Sequence, residues 1–546
     1  MGLELESQQS VQQQVQQHDE AVLADIGYKP ELARNFSMLQ VFGIAFSIMG
    51  LLPSIATTLS YTLPAGPYGM VWGWFVASGC VMTVGLSMAE LGSALPTSGG
   101  LYWWTYHFAP EKAKRPLSFL VGYSNTLGLT GGIMSIDYGF AQIFVSVIII
   151  ATDGKWNPSP YTVYGIFAAC VISHACVGSL GTSHMAKAQT VCIYTNIAII
   201  VVIIIALPIG GRHNLNSGEY MFGHIDNLTD GWPSAWVFFL TWLSPIWTIG
   251  SFDSCVHMSE EASNASRAVP FGIISSIGMC WVLGFVINIV FVAVLPHDIE
   301  PLLSTVYQQP MAQLVYDVLG KNWAIGIMVV LFVLQWTMGL SIVTAASRQS
   351  WAFSRDGALP FSNFFKVINE KFSNPVRCVW GNSVLALAIG CLCMIDAAAA
   401  AALFSLSAGG NALAWGLPIF LKLVYGGEKF VPGPFYMGKF LSTLCASFAC
   451  FYLAFTIVLL EFPQTTSHPS KETMNYTCVI LAAVWGGCMS YYFLFAHKWY
   501  QGPKTTLEPV VVDGEVVGFN EETDHHKKIE ADYENSHQAS SQTSSE

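Results

Sequence analysis

The chain has 546 residues, 53% of them hydrophobic and only 11% charged, with a mean hydropathy of +0.48. A soluble chain carries about a quarter charged residues, so this composition excludes a soluble enzyme and indicates a polytopic membrane protein. The formal net charge of −12 lies almost wholly in two polar tails, because residues 1–36 and 500–546 together hold 16 acidic and 5 basic residues. The membrane portion is near neutral, and nothing in it suits nucleic acid as a partner.

Residues 1–36 are rich in Gln and Glu and lack a charged-then-apolar leader, so no cleavable signal peptide is expected and the segment reads as a disordered tail. Twelve apolar stretches follow, each long enough to cross the hydrocarbon: 38–60, 68–93, 116–151, 160–179, 187–209, 235–256, 270–295, 323–347, 379–397, 400–424, 439–460 and 474–497. The third is over-long and suits a tilted helix. The ninth and tenth are parted only by Asp396 and an alanine run. Residues 37–499 thus form one helical domain, followed by a second disordered tail, 500–546, whose end (536–546) suits regulation better than folding.

Lys and Arg orient the chain. Nineteen of the 23 fall on the side of the tails, leaving Lys155, Arg212, Lys321 and Lys471 on the other, which places both tails in the cytosol. Two sequons, Asn227-Leu-Thr and Asn475-Tyr-Thr, fall on the outer side as glycosylation candidates. The thirteen cysteines lie mostly inside apolar spans without metal-ligand spacing and read as buried small hydrophobes. No metal and no cofactor is expected.

Two spans are interrupted. The first, FGIAFSIMGLLPSIATTL (42–59), has Gly50 and Pro53 at its centre. The sixth runs into SPIWTIGSFDSCVHMSEEASNASRAVP (244–270), where Pro245, Gly250 and the carboxylate of Asp253 break it. Broken backbone at membrane depth is tolerated only where it lines protein or a cavity. A pair of such breaks at matching places in two halves points to the substrate site of a secondary transporter built from inverted repeats.

A carboxylate in a span costs on the order of +3 kcal/mol on insertion scales, so Asp253 needs a partner. That partner is a substrate cation, a proton, or the amides of a restarting half-helix that Asp253 caps. Asp137, in GGIMSIDYGFAQ (131–142), is a second intramembrane acid with no basic residue available in the spans to pair with it. It reads as a proton carrier or amine partner, or as a neutral carboxyl bonded to a neighbouring helix. Amides freed between Ser47 and Pro53 suit a carboxylate, the plain alternative being a proline kink. Trp247 either closes over a substrate or simply packs. Glu90, Glu260, Glu261, Arg267, Arg348, Arg355 and Asp356 gather at the cytosolic ends, as ion pairs of an inner gate or as solvated helix ends. His257 reads as a buried, hydrogen-bonded histidine rather than a proton relay.

Several segments resemble a known family. AELGSALPTSGGLYWW (89–104) and SRQSWAFSRDGALP (347–360) resemble the signatures after the second and eighth helices of the amino acid–polyamine–organocation superfamily. WTIGSFDSCVHMSEEASNA (247–265) is similar to the sixth helix of its amino acid/choline transporter family. SIDYGFAQ (135–142), FVPGPFYMGK (430–439) and ETMNYT (472–477) fit the same family. That family includes fungal GABA, choline and biotin-precursor permeases and plant bidirectional amino acid transporters. The resemblance covers about residues 30–505.

It implies an all-α membrane protein with 12 transmembrane helices. The fold is LeuT-like, with a 5+5 inverted repeat (about 38–209 and 235–424) and two C-terminal helices (439–497). By position, Ser47, Ile48, Met49, Gly50, Leu51 and Leu52 bind the substrate carboxylate. Trp247, Ile249 and Gly250 offer carbonyls to the amine, with Asp253 nearby, and Trp247 stands at the outer gate. Gly50-Leu51-Leu52 departs from the Gly-Ser-Gly of many relatives in the superfamily. Asn196 stands where several proton-coupled members carry lysine, which makes Asp137, Asp253 and Asn196 the positions to weigh for proton coupling.

The combined expectation is a secondary active transporter moving a small amino acid or amine such as GABA by alternating access, with H+, in a lipid bilayer. A choline or polyamine permease and a nutrient sensor are the alternatives. The expected location is the plasma membrane, with vacuole or Golgi as alternatives. No residue pattern speaks to oligomeric state.

Overall fold

Each expected span coincides with helix in the computed structural model, and the first and sixth are interrupted. The structure describes residues 15–520 other than 18, 181, 370, 395–396, 472, 505–507 and 513–514, so Asp396 and the end of the C-tail (536–546) lie outside the described residues. The first span is α1 (Met38–Met49) and α2 (Leu51–Thr62), broken at Gly50. It is followed by α3 (Gly66–Ala94), the short α4 (Gly100–Phe108), α5 (Lys114–Ala151), α6 (Pro160–Gly178) and α7 (Thr182–Gly210). The sixth span is three pieces: α8 (Ser234–Leu240), α9 (Leu243–Thr248) and α10 (Ser254–His257). Then come α11 (Ala265–Val294), the short α12 (Pro310–Leu319), α13 (Lys321–Arg355), α14 (Val376–Gly390), α15 (Ala397–Tyr425), α16 (Lys439–Leu459) and α17 (Thr477–Leu494).

Among the described residues, ten stretches are long and apolar enough to cross a membrane. The number is ten rather than twelve for a physical reason. Met38–Ala94 joins two expected spans in one helical run, and the broken sixth span contains no long helix. Beyond the last helix, β1 (Glu508–Val512) and β2 (Glu515–Asn520) pair antiparallel, a strand pair that the all-α expectation did not include.

At 1.5 Å per residue α5 is about 57 Å long, and α13 and α15 pack along it. Small residues allow the approach: a Cβ on Gly131 would press on the backbone of Ser407, and one on Gly410 on that of Gly128. On the other side of the molecule α11 lies along α3 and α1.

The tails are not wholly disordered as expected. Residues 19–36 cross the helix ends on the face that carries the tails, with Leu23, Tyr28, Leu32 and Phe36 buried. The Phe36 N–H donates to Glu261 O (3.0 Å) and the Ser263 N–H to Phe36 O (2.9 Å). Asn264, at the N-cap of α11, sits in the left-handed region and makes no side-chain cap bond. Asp19 supplies that cap from the tail instead, accepting the N–H groups of Asn264 (2.7 Å) and Ala265 (3.1 Å). At the other terminus Tyr500 is buried and the Lys504 N–H donates to Asp356 (3.1 Å). Four apolar anchors are few against a Gln- and Glu-rich background, which is why composition alone reads this segment as disordered.

A cap of this kind is worth about 1 kcal/mol, with the carboxylate at a helix N-terminus adding some tenths more. Asp19→Ala is therefore expected to lower stability by about 1–2 kcal/mol, read as a drop in the thermal unfolding midpoint of the detergent-purified protein.

Candidate substrate site and gates

The first break is made by Gly50, whose φ of +39° places it in the left-handed region. A Cβ there would also collide with the side chain of Met338. Its N–H closes α1 on Phe46 O (3.1 Å) and its carbonyl opens α2 by accepting the Ser54 N–H (2.9 Å). Of the first four amides of α2, Pro53 has none and Ser54's is used. That leaves, among the described residues, those of Leu51 and Leu52 for a ligand. The hydroxyl of Ser54 donates to Met49 O (2.5 Å), satisfying a carbonyl that the break sets free.

At the second break the Ile249 N–H donates to Pro245 O (2.8 Å) and that of Gly250 to Trp247 O (3.2 Å). Ser251 then takes φ +59°, a strained conformation for a residue with a Cβ. The hydroxyls of Thr58 and Ser244, 2.7 Å apart, tie the two broken spans together.

One cavity lies between the breaks. Its wall includes Ile48 and Ser54 from the first span, Ile246, Trp247, Gly250 and Ser251 from the sixth, and Gly132, Ser135 and Ile136 from α5. Ser407, Asn411 and Trp415 of α15 and Tyr452 and Thr456 of α16 close it. The free room is about 30 Å³, enough for about two waters at 10–15 Å³ each by the same measure. The space is nearly shut.

Trp247 stands between this cavity and another. Its indole N–H donates to Ser135 Oγ (3.3 Å), its ring packs on Phe404 at 5.1 Å, and it also lines a second cavity of about 260 Å³ with Tyr61, Gln464 and Asn475 on the far side.

Of the candidate binding residues, Ile48, Trp247 and Gly250 line this cavity. Ser47, Met49, Gly50, Leu51, Leu52, Ile249 and Asp253 are not among the lining residues. Ser47 points away, into a polar knot with Cys192 Sγ (3.1 Å) and Ser341 Oγ (3.0 Å). The contributions of α5, α15 and α16 carry no motif, because single Ser, Thr, Asn and Tyr residues within apolar helices are common.

Asp253 does not cap α10 with its side chain. It is fully buried beneath the cavity, where Asn125 Nδ2 donates to Oδ2 (2.8 Å) and the same amide donates to Asn411 Oδ1 (3.2 Å). Asp137 does have a basic neighbour, contrary to expectation: His174 Nδ1 lies 3.1 Å from its Oδ2. Sequence could not pair them because they lie 37 positions apart on different helices. Asp137, Cys170 and His174 each bring a ligand-type atom within 4.8 Å of the others. Both ring nitrogens of His174 are already engaged, Nε2 with Trp336 O at 2.8 Å. Asn196 is buried and donates to Cys192 O one turn earlier (3.0 Å).

On the tail face, the candidate gate residues form two buried ion pairs. Arg355 grips Glu260 with two bonds (3.0 and 3.1 Å) and Arg348 Nε donates to Glu261 (2.7 Å). These four are not solvated helix ends. Burial pushes the Glu260 carboxyl up, but Arg355, Ser98 and Thr97 outweigh it and hold the group below its ordinary value. Burial pushes the neighbouring Asp356 carboxyl up to about 6 despite Arg355, while Tyr102 OH (2.7 Å) and Tyr28 OH (3.2 Å) donate to it.

Two expected gate members lie elsewhere. Arg267 is exposed at the start of α11 and takes no part in either pair. Glu90 is bonded to Lys422 and to Ser442 Oγ (2.6 Å), tying α3 to α15 and α16. Of the sequons, Asn227 is exposed, whereas the Asn475 amide is spent on Leu460 O (2.7 Å) and Phe462 O (3.1 Å).

Removing one partner of a buried ion pair costs about 3–5 kcal/mol. Glu261→Gln is expected to lose that much, and adding Arg348→Met to regain most of it, in thermal unfolding of the four proteins of the cycle.

Residues 36–484 match the family model described as amino acid permease. The chain is 47% identical over 494 residues to the GABA-specific permease of Saccharomyces cerevisiae, covering 90% of this chain and 86% of that one. It is 32% identical to an uncharacterised amino-acid permease of Schizosaccharomyces pombe, covering 93% of each, and 32% identical to the amino-acid permease BAT1 homologue of Oryza sativa, covering 89% and 96%. With two broken helices enclosing one cavity, and matches that run nearly end to end, the chain belongs to the amino acid permease family and is a multi-pass membrane transporter rather than an enzyme.

Proposed function

We propose that this permease carries a small zwitterionic amino acid of the GABA type together with a proton. In this reading it works by alternating access in the plasma membrane, with both tails cytosolic. The observation that carries the reading is the neutrality of the cavity wall: among the described residues its polar side chains are hydroxyls of Ser, Thr and Tyr, the Asn411 amide and the indoles of Trp247 and Trp415, with no acidic or basic group.

A zwitterion brings both charges with it and needs only dipoles of opposite sense at its ends. The amide end of α2, at Leu51 and Leu52, suits the carboxylate; the carbonyls around Trp247 and Gly250 suit the amine. Choline or a polyamine would sit in this wall with no counter-charge, at a cost that grows as water is excluded. The 47% identity to a protein named a GABA-specific permease supports the substrate class, and the 19-to-4 bias of Lys and Arg supports the orientation.

The test is uptake of radiolabelled GABA, choline and putrescine in a host lacking its own permeases, at acidic and neutral pH. GABA is expected to enter, faster in acid, and to be displaced by other zwitterionic amino acids but not by GABA methyl ester. Saturable choline or putrescine uptake without GABA uptake overturns the reading. Trp247→Ala, which removes the lid, is expected to raise KM about tenfold, equivalent to ~1.4 kcal/mol, in the same assay.

A further inference from the structure

The buried ring of His257 has a donor requirement that its surroundings settle. Its Nδ1 lies 3.0 Å from the carbonyl oxygen of Ser98. A carbonyl only accepts, so Nδ1 carries the hydrogen. In the neutral ring Nε2 is then an acceptor, and it faces another acceptor, Asp253 Oδ2, at 3.4 Å, with both side chains fully buried. Neither Nε2 nor Asp253 Oδ1 has another partner among the described residues. Two lone pairs opposed at this depth are unfavourable, and one proton resolves the conflict as imidazolium–carboxylate or as imidazole–carboxylic acid.

No other charge is placed to do so. Of the elements packed on α10, α1 has no titratable residue, and α11 offers exposed Arg267 and Cys280, which is bonded to Met49. From α13 come Arg348 and Arg355, engaged by Glu261 and Glu260. Cys255, on the same turn, points to Val41 O, and α5 and α15 supply the neutral Asn125 and Asn411. From α4, whose Gly100 lies beside Val256, Tyr102 is bonded to Asp356 and His107 lies at Lys429 O.

The pair is also connected at both ends. Above it, Asn125 links Asp253 to Asn411 in the cavity wall. Below it, Ser98 holds His257 by its carbonyl and holds Glu260 by its N–H (3.0 Å), and Glu260 is the carboxylate that Arg355 grips. Asp137–His174 has the same acceptor-to-acceptor geometry, but it lies among α5, α6 and α13 and touches neither break nor gate.

We propose that Asp253 and His257 share the transported proton and that its presence holds the tail-face gate shut through Ser98. This rests on the proton coupling proposed above and names the site. With the proton bound, the pair is neutral and His257 stays on Ser98. When the gate opens, water reaches the pair and accepts the proton. The net negative pair then pushes imidazole and carboxylate apart, and Ser98 no longer aligns Glu260 for Arg355. By linkage, the closed gate binds the proton more tightly and the open gate less.

The sign follows: proton uptake favours the closed gate, so opening rises with pH. The experiment is hydrogen–deuterium exchange of peptides covering 95–101 and 257–264, on the full chain in lipid nanodiscs without substrate. The range is about pH 5.5 to about pH 8, corrected for intrinsic exchange.

In the wild type, opening of both peptides is expected to rise with pH by up to about tenfold per unit, the limit for one proton. His257→Gln and Asp253→Asn should flatten this dependence, while Asp137→Asn should keep it. A flat wild-type profile overturns the proposal without any variant, as does a dependence that survives His257→Gln or disappears in Asp137→Asn. Because no substrate is present, a pH-dependent gate in a protein whose uptake proves not to be proton-driven refutes the coupling reading separately.

Discussion

Inside a bilayer every backbone N–H and C=O needs a partner, and this requirement organises the molecule. Among the described residues, nine of the ten long stretches meet it within continuous helical runs, and the tenth, Met38–Ala94, is interrupted at Gly50. The two breaks leave amides and carbonyls without helical partners, and these can exist only where other helices and a small polar space receive them. The long α5 and α15 supply that surrounding, packed closely through glycines at Ser407 and Gly128. The substrate site is therefore not an addition to the fold. It is where the fold would otherwise carry an unsatisfied backbone.

Charge is distributed by the same logic. The cavity wall carries no acidic or basic side chain, and the buried Arg–Glu pairs lie on the tail face, where Glu260–Arg355 and Glu261–Arg348 join the end of the sixth span to α13. Buried pairs of this kind contribute little net stability against apolar packing but cost much when half is removed. The N-tail lies directly on them: Tyr28 stacks on Arg355 at 4.1 Å and Phe36 pairs with the segment that carries Glu261. The far side is closed differently, by an aromatic lid, since Trp247 on Phe404 needs no counter-charge.

How much was legible without coordinates differs by kind of signal. Spans and breaks follow from hydropathy and Gly/Pro punctuation, because lipid imposes those patterns on the chain locally. Ile48, Trp247 and Gly250 were found through the breaks. Ser135, Asn411 and Thr456 were not, since a lone polar residue in an apolar helix looks the same whether it faces a cavity or bonds its own i−4 carbonyl. Arg267 and Glu90 were wrongly grouped with the gate, because nearness to a helix end says nothing about azimuth around the helix.

The sequence by itself determined that this is a helical membrane transporter, where its helices break and which residues are available as acids. Lipid and backbone hydrogen bonding constrain those features one segment at a time. The tertiary structure alone decided which groups meet: Asp137 with His174 across 37 residues, Asn125 with Asp253 across 128, and Asp19 with the start of α11 across 245. Such contacts depend on how helices rotate and pack against one another. That rotation is set by the shapes of all the neighbouring side chains at once, so no single segment records it.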